Sequence, residues 1–262
     1  MSQTRQLQAA GQCGQGEGSI QVRTLSATFS NGHAIPRHSH DWDQLIYATS
    51  GVMSIHTGVG SWVAPSQRAV WIPAGIEHRI EISGLVSMRT LYLISGLSPM
   101  LPKDCCAINV SPLLRELILY AVKLGWLDRE VPEQGRLIDI ILDQLQILPA
   151  VALQLPMPRD RRALRVADIL RRDPSEPGSL EEIAKQAGAS PRTIERLFRA
   201  ETGMDFRKWR QRLRLLSALR LLAAGASVTQ VALEVGYESA SAFISMFKQE
   251  LGATPSRYYK GE

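Results

Sequence analysis

The sequence has no unbroken apolar run long enough to cross a membrane, and its opening segment, MSQTRQLQAAGQCGQGEGS, has no apolar stretch of the signal-peptide kind. A membrane partner is excluded on that reading, and the Gln/Gly-rich residues 1–19 read as a disordered tail. Cysteine is scarce: there are 3, an odd number, and Cys105 and Cys106 are adjacent. Such a set builds no disulfide framework, which fits a reducing cytoplasm. Histidine is absent after His78. Net positive charge is absent from the first part of the chain: residues 1–155 sum to −1 and residues 156–262 to +6. A polyanion would therefore be gripped by the C-terminal part.

What is present suits two ordinary domains. The chain has 262 residues, 45% of them hydrophobic, which excludes wholesale disorder. Between residues 20 and 95, short apolar runs such as QLIYATSG, AVWIPAG and EHRIEISG alternate with Gly, Pro and Ser. That pattern predicts an antiparallel barrel or sandwich. The spacing then turns helical over 111–125 and about 132–150, with one apolar stripe of Leu113, Leu114, Leu117, Ile118 and Val122 and another of Leu137, Ile140, Ile141 and Leu145. These stripes either pack back on the sheets or pair with a second subunit. Residues 153–162, rich in Pro and charge, read as a linker between a domain over 20–152 and an all-helical one over 163–262. The fold class is α+β.

The helical part contains one pattern twice. Residues Ser179–Gly203 and Ser227–Gly252 each run from a small polar residue through an apolar helix to a Gly turn, a Ser start, a second helix carrying Phe, and a closing Gly. This is a tandem of helix-turn-helix units, at 180–201 and 228–251, and two such heads can enter successive major grooves of DNA. In the first, Ile194, Leu197 and Phe198 point inward by helical period. Arg192, Glu195, Arg196 and Arg199 are left to reach the duplex, Arg192 and Arg196 as forked donors to guanine and Glu195 as an acceptor from cytosine or an orienter of the arginines. The second head offers only Ser241, Ser245 and Lys248, with Ala240 and Ile244 for thymine methyls or a protein contact. The first head is therefore expected to carry most of the direct readout. Between them, Arg207, Lys208, Arg210, Arg212 and Arg214 read as a basic collar near phosphates.

The sequence from about Arg162 to Lys260 resembles the AraC/XylS family of bacterial transcription regulators, on Gly236-Tyr237-x-Ser239, Phe243-x-x-x-Phe247-Lys248 and Gly252-x-x-Pro255-x-x-Tyr258. The resemblance implies a seven-helix DNA-binding domain with base-facing positions at Arg192, Glu195, Arg196, Ser241 and Ser245. This chain departs from the family in the short side chains of its second recognition helix.

All 5 histidines lie in the N-terminal part. His38-Ser39-His40 sends two imidazoles to one side of a strand. With Gln44, Gly51, Pro73, Gly75 and His78 the spacing resembles the two cupin motifs, H-x-H-x(3,4)-E-x(6)-G and P-x-G-x-x-H, over about Gly32–Leu93. In metal-binding cupins these positions hold one divalent ion, so the resemblance makes His38, His40, Gln44 and His78 a candidate site for Ni, Zn, Fe or Cu. Gln44 stands where the motif has Glu and brings no charge, which weakens such a site. The alternative is an organic-ligand pocket of His38, His40, Trp42, Gln44 and His78, walled by one of Trp42, Trp62 or Trp71. His33 and His56 read as ordinary polar side chains.

These features together point to a ligand-responsive, sequence-specific regulator of transcription. Its expected partners are double-stranded promoter DNA, a small-molecule effector, RNA polymerase and a second copy of the chain. Activation is favoured over repression by the resemblance alone. The rival class is a metal-dependent cupin enzyme fused to a DNA-binding tail. It is disfavoured because Gln44 removes the usual carboxylate and no general base accompanies the set.

Overall fold

In the computed structural model, residues 19–66, 68–99, 101–145 and 154–260 are described. Residues 1–18 of the N-terminal segment with Cys13, the second helix beyond residue 145, and residue 153 of the linker lie outside them. The chain divides into two compact units, the first holding the residues up to Gly58 and Trp62–Gln154, the second Val59–Ser61 and the residues from Leu155 on.

The first unit is built from β1 (Ile20–Phe29), β2 (Ala34–His38), β3 (Asp43–Ala48), β4 (Val52–Thr57), β5 (Gly60–Pro65), β6 (Arg68–Ile72), β7 (His78–Ser83), β8 (Val86–Leu93), β9 (Cys106–Asn109), α1 (Pro112–Leu124), β10 (Trp126–Asp128) and α2 (Pro132–Leu145). One sheet has the order β10-β1-β8-β3-β6-β9, and a second contains the run β5-β4-β7-β2. The pairings β1/β8, β3/β8, β3/β6, β2/β7 and β4/β7 are all antiparallel.

Strand alternation places the core. Every residue of β3 is buried. Ile46 and Ala48 face the space between the sheets, with Met53, Ile55, Trp62, Ile80 and Ile82. Leu45 and Tyr47 face the opposite way, against Leu114, Ile118, Ala121, Ile138 and Ile141 of the two helices. The larger sheet is thus covered on both faces, which explains why its strands read as continuous apolar runs.

The helical stripes sit slightly differently from their sequence expectation. On α1 the buried line is Leu114, Ile118 and Ala121, with Leu117 and Val122 packed beside it, whereas Leu113 is 53% exposed. On α2, Ile138 and Leu142 join Leu137, Ile141 and Leu145, and Ile140 is 44% exposed. One residue along a helix is a turn of about 100°, enough to move Leu113 and Ile140 off the sheet-facing side.

In the stretch read as a linker, β11 (Gln154–Pro156) precedes α3 (Arg161–Arg172), which is N-capped by Asp160. The second unit continues with α4 (Leu180–Gln186), α5 (Pro191–Thr202), α6 (Phe206–Ala223), α7 (Val228–Glu234), α8 (Ala240–Leu251) and α9 (Pro255–Lys260). Local chemistry starts α4 to α8. Ser179 and Glu182 form a reciprocal capping box on α4, and Ser190, Asp205, Ser227 and Ser239 cap α5, α6, α7 and α8. The turns of the two heads pass through Gly188 (φ 71°) and Gly236 (φ 81°), a region that side-chain-bearing residues rarely adopt. Phe198 meets Phe206 and Trp209 edge-on in the first head, and Phe247 meets Phe243 and Tyr258 in the second. The Trp209 indole donates to the carbonyl of Pro156 at 2.7 Å.

Candidate nucleic-acid interface and effector site

The helical period of α5 buries Ile194, Leu197 and Phe198 and leaves Arg192, Glu195, Arg196 and Arg199 exposed. These four, with Ala200 and Asp205, line one open groove. With Ser190 as the cap and Pro191 as the first helical residue, the helix starts directly before Arg192, so its N-terminal half carries the forked donors. On α8 the burial of Phe243, Met246 and Phe247 leaves Ser241, Ser245 and Lys248 exposed, while Ala240 and Ile244 are half-buried. All seven sequence-predicted side chains of the two recognition helices are therefore open to solvent.

The basic collar is corrected by the structure. Arg207 and Lys208 are exposed. Arg210 turns inward, its guanidinium donating to the carbonyl oxygens of Glu176 and, at 3.4 Å, Gly178. Arg214 donates to the carbonyl of Pro174 at 3.2 Å and lies 5.7 Å from the Tyr237 ring centre. Arg212 is buried, with the Glu250 charge beside it. Burial lowers the pKa of all three guanidiniums from its ordinary value, and Arg214 crowds that of Arg210 further. Arg210 is thus a strut within the protein, not one of the residues facing a duplex. Sequence reading assigns arginines to the surface because an unpaired buried charge is costly, and the carbonyls that compensate it are more than thirty residues away in sequence.

In the first unit, strand register gathers a polar layer at one end of an otherwise apolar stack. Arg23, Tyr92, Gln44 and Ile72 are successive cross-strand partners in the larger sheet, and His38, His78 and Thr57 in the smaller. The next layer, Leu25, Thr90, Ile46 and Val70 with Ile35, Ile80 and Ile55, is almost wholly apolar. The imidazole centres of His38 and His78 are 4.3 Å apart, those of His40 and His78 5.1 Å, and those of His38 and His40 6.2 Å. Each ring places Nδ1 against a backbone carbonyl: His38 on Pro36 at 2.8 Å, His40 on Trp42 at 2.5 Å and His78 on Ile76 at 2.9 Å. A carbonyl only accepts, so all three Nδ1 atoms carry the proton, and in a neutral ring Nε2 is a bare acceptor. His40 Nε2 faces Gln44 Oε1 at 2.7 Å, and His78 Nε2 is buried with no hydrogen-bond partner among the described residues.

Burial lowers the His38 pKa and brings that of His78 down to about 3, so His78 stays neutral at physiological pH. Tyr92, buried against His40 with ring centres 5.4 Å apart and bonded to Gln44, has its pKa raised by the same desolvation. Trp42 is buried and carries the Arg23 guanidinium 4.7 Å above its ring. Among the described residues no group of three His, Cys, Asp or Glu side chains stands in metal-holding geometry. The donor set fits an ion in its tautomers but not in its present arrangement.

Comparison with known proteins agrees with both halves. Residues 20–200 match the AraC-like ligand binding domain and residues 183–261 a helix-turn-helix domain of the same regulators. The chain is 38% identical over 223 residues to the HTH-type transcriptional regulator NimR of Escherichia coli, covering 85% of this chain and 81% of that protein.

The chain belongs to the AraC family of transcriptional regulators.

This AraC-family regulator is also 24% identical over 242 residues to the HTH-type transcriptional activator RhaS of Yersinia pseudotuberculosis, covering 85% of this chain and 88% of that one. Among solved structures, the DNA-binding domain of AdpA in complex with a target DNA aligns at 33% identity and a TM-score of 0.36, over 39% of this chain and 92% of that one. ToxT of Vibrio cholerae aligns at 15% identity and a TM-score of 0.39, over 94% and 97%. NimR and RhaS, the relatives matched along most of their length, are transcriptional regulators. Among the described residues no helix is long and apolar enough to cross a membrane.

Two members of the polar layer, Arg23 and Tyr92, escaped sequence reading. Their signal is the register that sets Tyr92 opposite both Gln44 and Arg23, which no local motif encodes. Trp71 faces away from that layer. Trp62 packs between the sheets, and Trp71 lies under the helices with its indole donating to Pro102 at 2.9 Å. His33 stacks on Phe29 and His56 pairs with Glu81, so neither joins the cluster.

Proposed function

We propose that this regulator acts in the cytoplasm as an effector-controlled, sequence-specific DNA binder whose two heads enter successive major grooves of a promoter. The observation that carries the reading is the exposure of Arg192, Glu195, Arg196, Arg199, Ser241, Ser245 and Lys248 along two separately capped helices joined by α6. At 18 residues, α6 is about 27 Å long, close to one turn of B-DNA. Arg192 and Arg196 read guanines, Glu195 reads or orients, and Arg199, Arg207, Lys208 and Lys248 hold phosphates. The second head, with serines in place of long donors, supplies grip more than discrimination.

The sensing site in this reading is the polar layer of His38, His40, Trp42, Gln44 and His78, extended by Arg23 and Tyr92. Its ligand is a small organic effector that shifts the population competent for DNA and RNA polymerase. A divalent ion (Ni, Zn, Fe or Cu) on His38, His40, Gln44 and His78 is the second reading, favoured by the three carbonyls that hold Nδ1–H and leave each Nε2 lone pair free to ligate. The partner is a second copy of the chain. Leu113, Tyr120 and Leu124 are exposed on α1 and, with the half-buried Leu117 at their edge, recur at intervals of four, three and four, the spacing of a helix-pairing seam. Activation is the proposed sense, by analogy with the transcriptional activator RhaS.

Selection of bound sequences from a random duplex pool by the purified protein, followed by footprinting, tests the reading. Protection of two patches about one helical turn apart supports it; a single patch, or no enrichment, removes it.

A further inference from the structure

α6 does more than separate the heads. Two of its guanidiniums, Arg210 and Arg214, lie one turn apart and hold the carbonyls of Pro174, Glu176 and Gly178, the segment that leads into α4 of the first head. Arg214 reaches a second partner as well. Its guanidinium lies over Tyr237, in the turn of the second head, and Gly236 beside it is packed so closely that an added Cβ would stand 2.6 Å from Arg214 Nη2 and 3.0 Å from Ser175 Cα. The Nε–H edge of Arg214 therefore reaches the entrance of the first head while the group lies over the turn of the second. Between the two arginines on the same helix, Gln211 donates to Glu250 at the end of α8 at 3.0 Å.

We propose that Arg214 is the positioning residue that sets the separation and twist of the two recognition helices, so that the domain accepts its two sub-sites at one spacing only. The inference rests on the reading that both heads contact DNA. A flexible joint would let α8 follow a shifted sub-site. A guanidinium wedged between a carbonyl and an aromatic ring, with backbone packed against backbone at Gly236 and Ser175, does not. Specificity then resides partly in the gap between sub-sites, which no side chain touches. Lysine at this position would keep the charge but lose the planar fork that serves both partners at once.

The test uses the full chain and duplexes carrying its selected site with native spacing, with one or two base pairs inserted or removed between the sub-sites, or with the first sub-site alone. Wild-type protein should lose roughly tenfold or more in affinity on respacing, the loss of a single good contact. Arg214→Ala should bind the native spacing more weakly, while its respacing penalty falls to under about threefold. Arg214→Lys should lie between. Gly236→Ala keeps Arg214 but displaces it, and should also flatten the penalty. All variants should bind the first sub-site alone as wild type does. A wild-type respacing penalty retained by both Arg214→Ala and Gly236→Ala overturns the proposal, as does equal loss on the first sub-site, which would mark a folding defect. If the wild type itself tolerates any spacing, or is indifferent to loss of the second sub-site, the two-head reading fails rather than the clamp.

Discussion

The Nε2 of His40 and the Oε1 of Gln44 lie 2.7 Å apart in the buried polar layer. With the His40 Nδ1 proton committed to the Trp42 carbonyl, two acceptors would meet unless the Gln44 amide presents its NH2 group. A carboxylate at 44 would change the balance by adding charge to the donor set. Gln44→Glu should therefore bind Ni(II) or Zn(II) at least about tenfold more tightly than wild type, measured by calorimetry on metal-stripped protein. Equal affinities would show that position 44 contributes nothing to cation binding.

Arg196→Ala should cost about 1–3 kcal/mol at the selected site and relax the preference at one base pair. Ser241→Ala and Ser245→Ala should each cost less, because a hydroxyl makes one contact where a guanidinium makes two. Binding-site selection repeated with each variant checks the order; unaltered specificity in Arg196→Ala would remove its assigned role.

Affinity for the site should fall steeply with salt, since counterions return to the phosphates. Removing the exposed Arg207 or Lys208 should lower the slope of log affinity against log salt by about 1 each. Replacing Arg210, whose guanidinium is held by Glu176 and Gly178, should leave that slope unchanged. The prediction fails if all three variants move the slope alike.

His78 gives the first unit an acid sensitivity of known sign. Burial holds its folded pKa near 3, below the ordinary 6.5 that it regains on unfolding. The unfolded chain therefore takes up the proton first as pH falls. The stability associated with neutral His78 is present above pH 6.5 and drains away as pH drops toward 3, by at most about 1.4 kcal/mol per pH unit for one group. His38, shifted in the same direction, adds to the slope. Thermal unfolding of wild type and His78→Gln between pH 7 and pH 4.5 should show a shallower decline for the variant.

Tyr120 and Leu124 are 55% and 37% exposed on α1. Replacing both by Asp should convert a dimer to a monomer in sedimentation velocity while leaving the circular dichroism spectrum unchanged. A dimer that survives the double variant would place the contact elsewhere.

The helical domain was the more legible half in sequence because its signals are local. Ser190 before Pro191, Gly188 and Gly236 at turns, and the inward Ile194, Leu197 and Phe198 each act within a few residues. The sheet domain obeyed longer rules. Burial of both Leu45 and Ile46 depends on helices placed over the larger sheet more than sixty residues later. Arg210, Arg212 and Arg214 were read as a phosphate collar because composition marks charge as surface, and only the distant carbonyls and Glu250 turn them inward. The His38, His40 and His78 cluster was visible through motif spacing, but its neighbours Arg23 and Tyr92 are joined to it only by strand register.

α6 belongs to both reading heads at once: Trp209 and Phe206 close the first, while Arg214 and Gln211 brace the second. The helical domain therefore cannot be halved into two independent modules. A chain truncated at Gly225 would bare the side of that rod which the missing head had covered. Only on the outward faces of α5 and α8 does a new side chain alter what is met without loosening the frame that carries it.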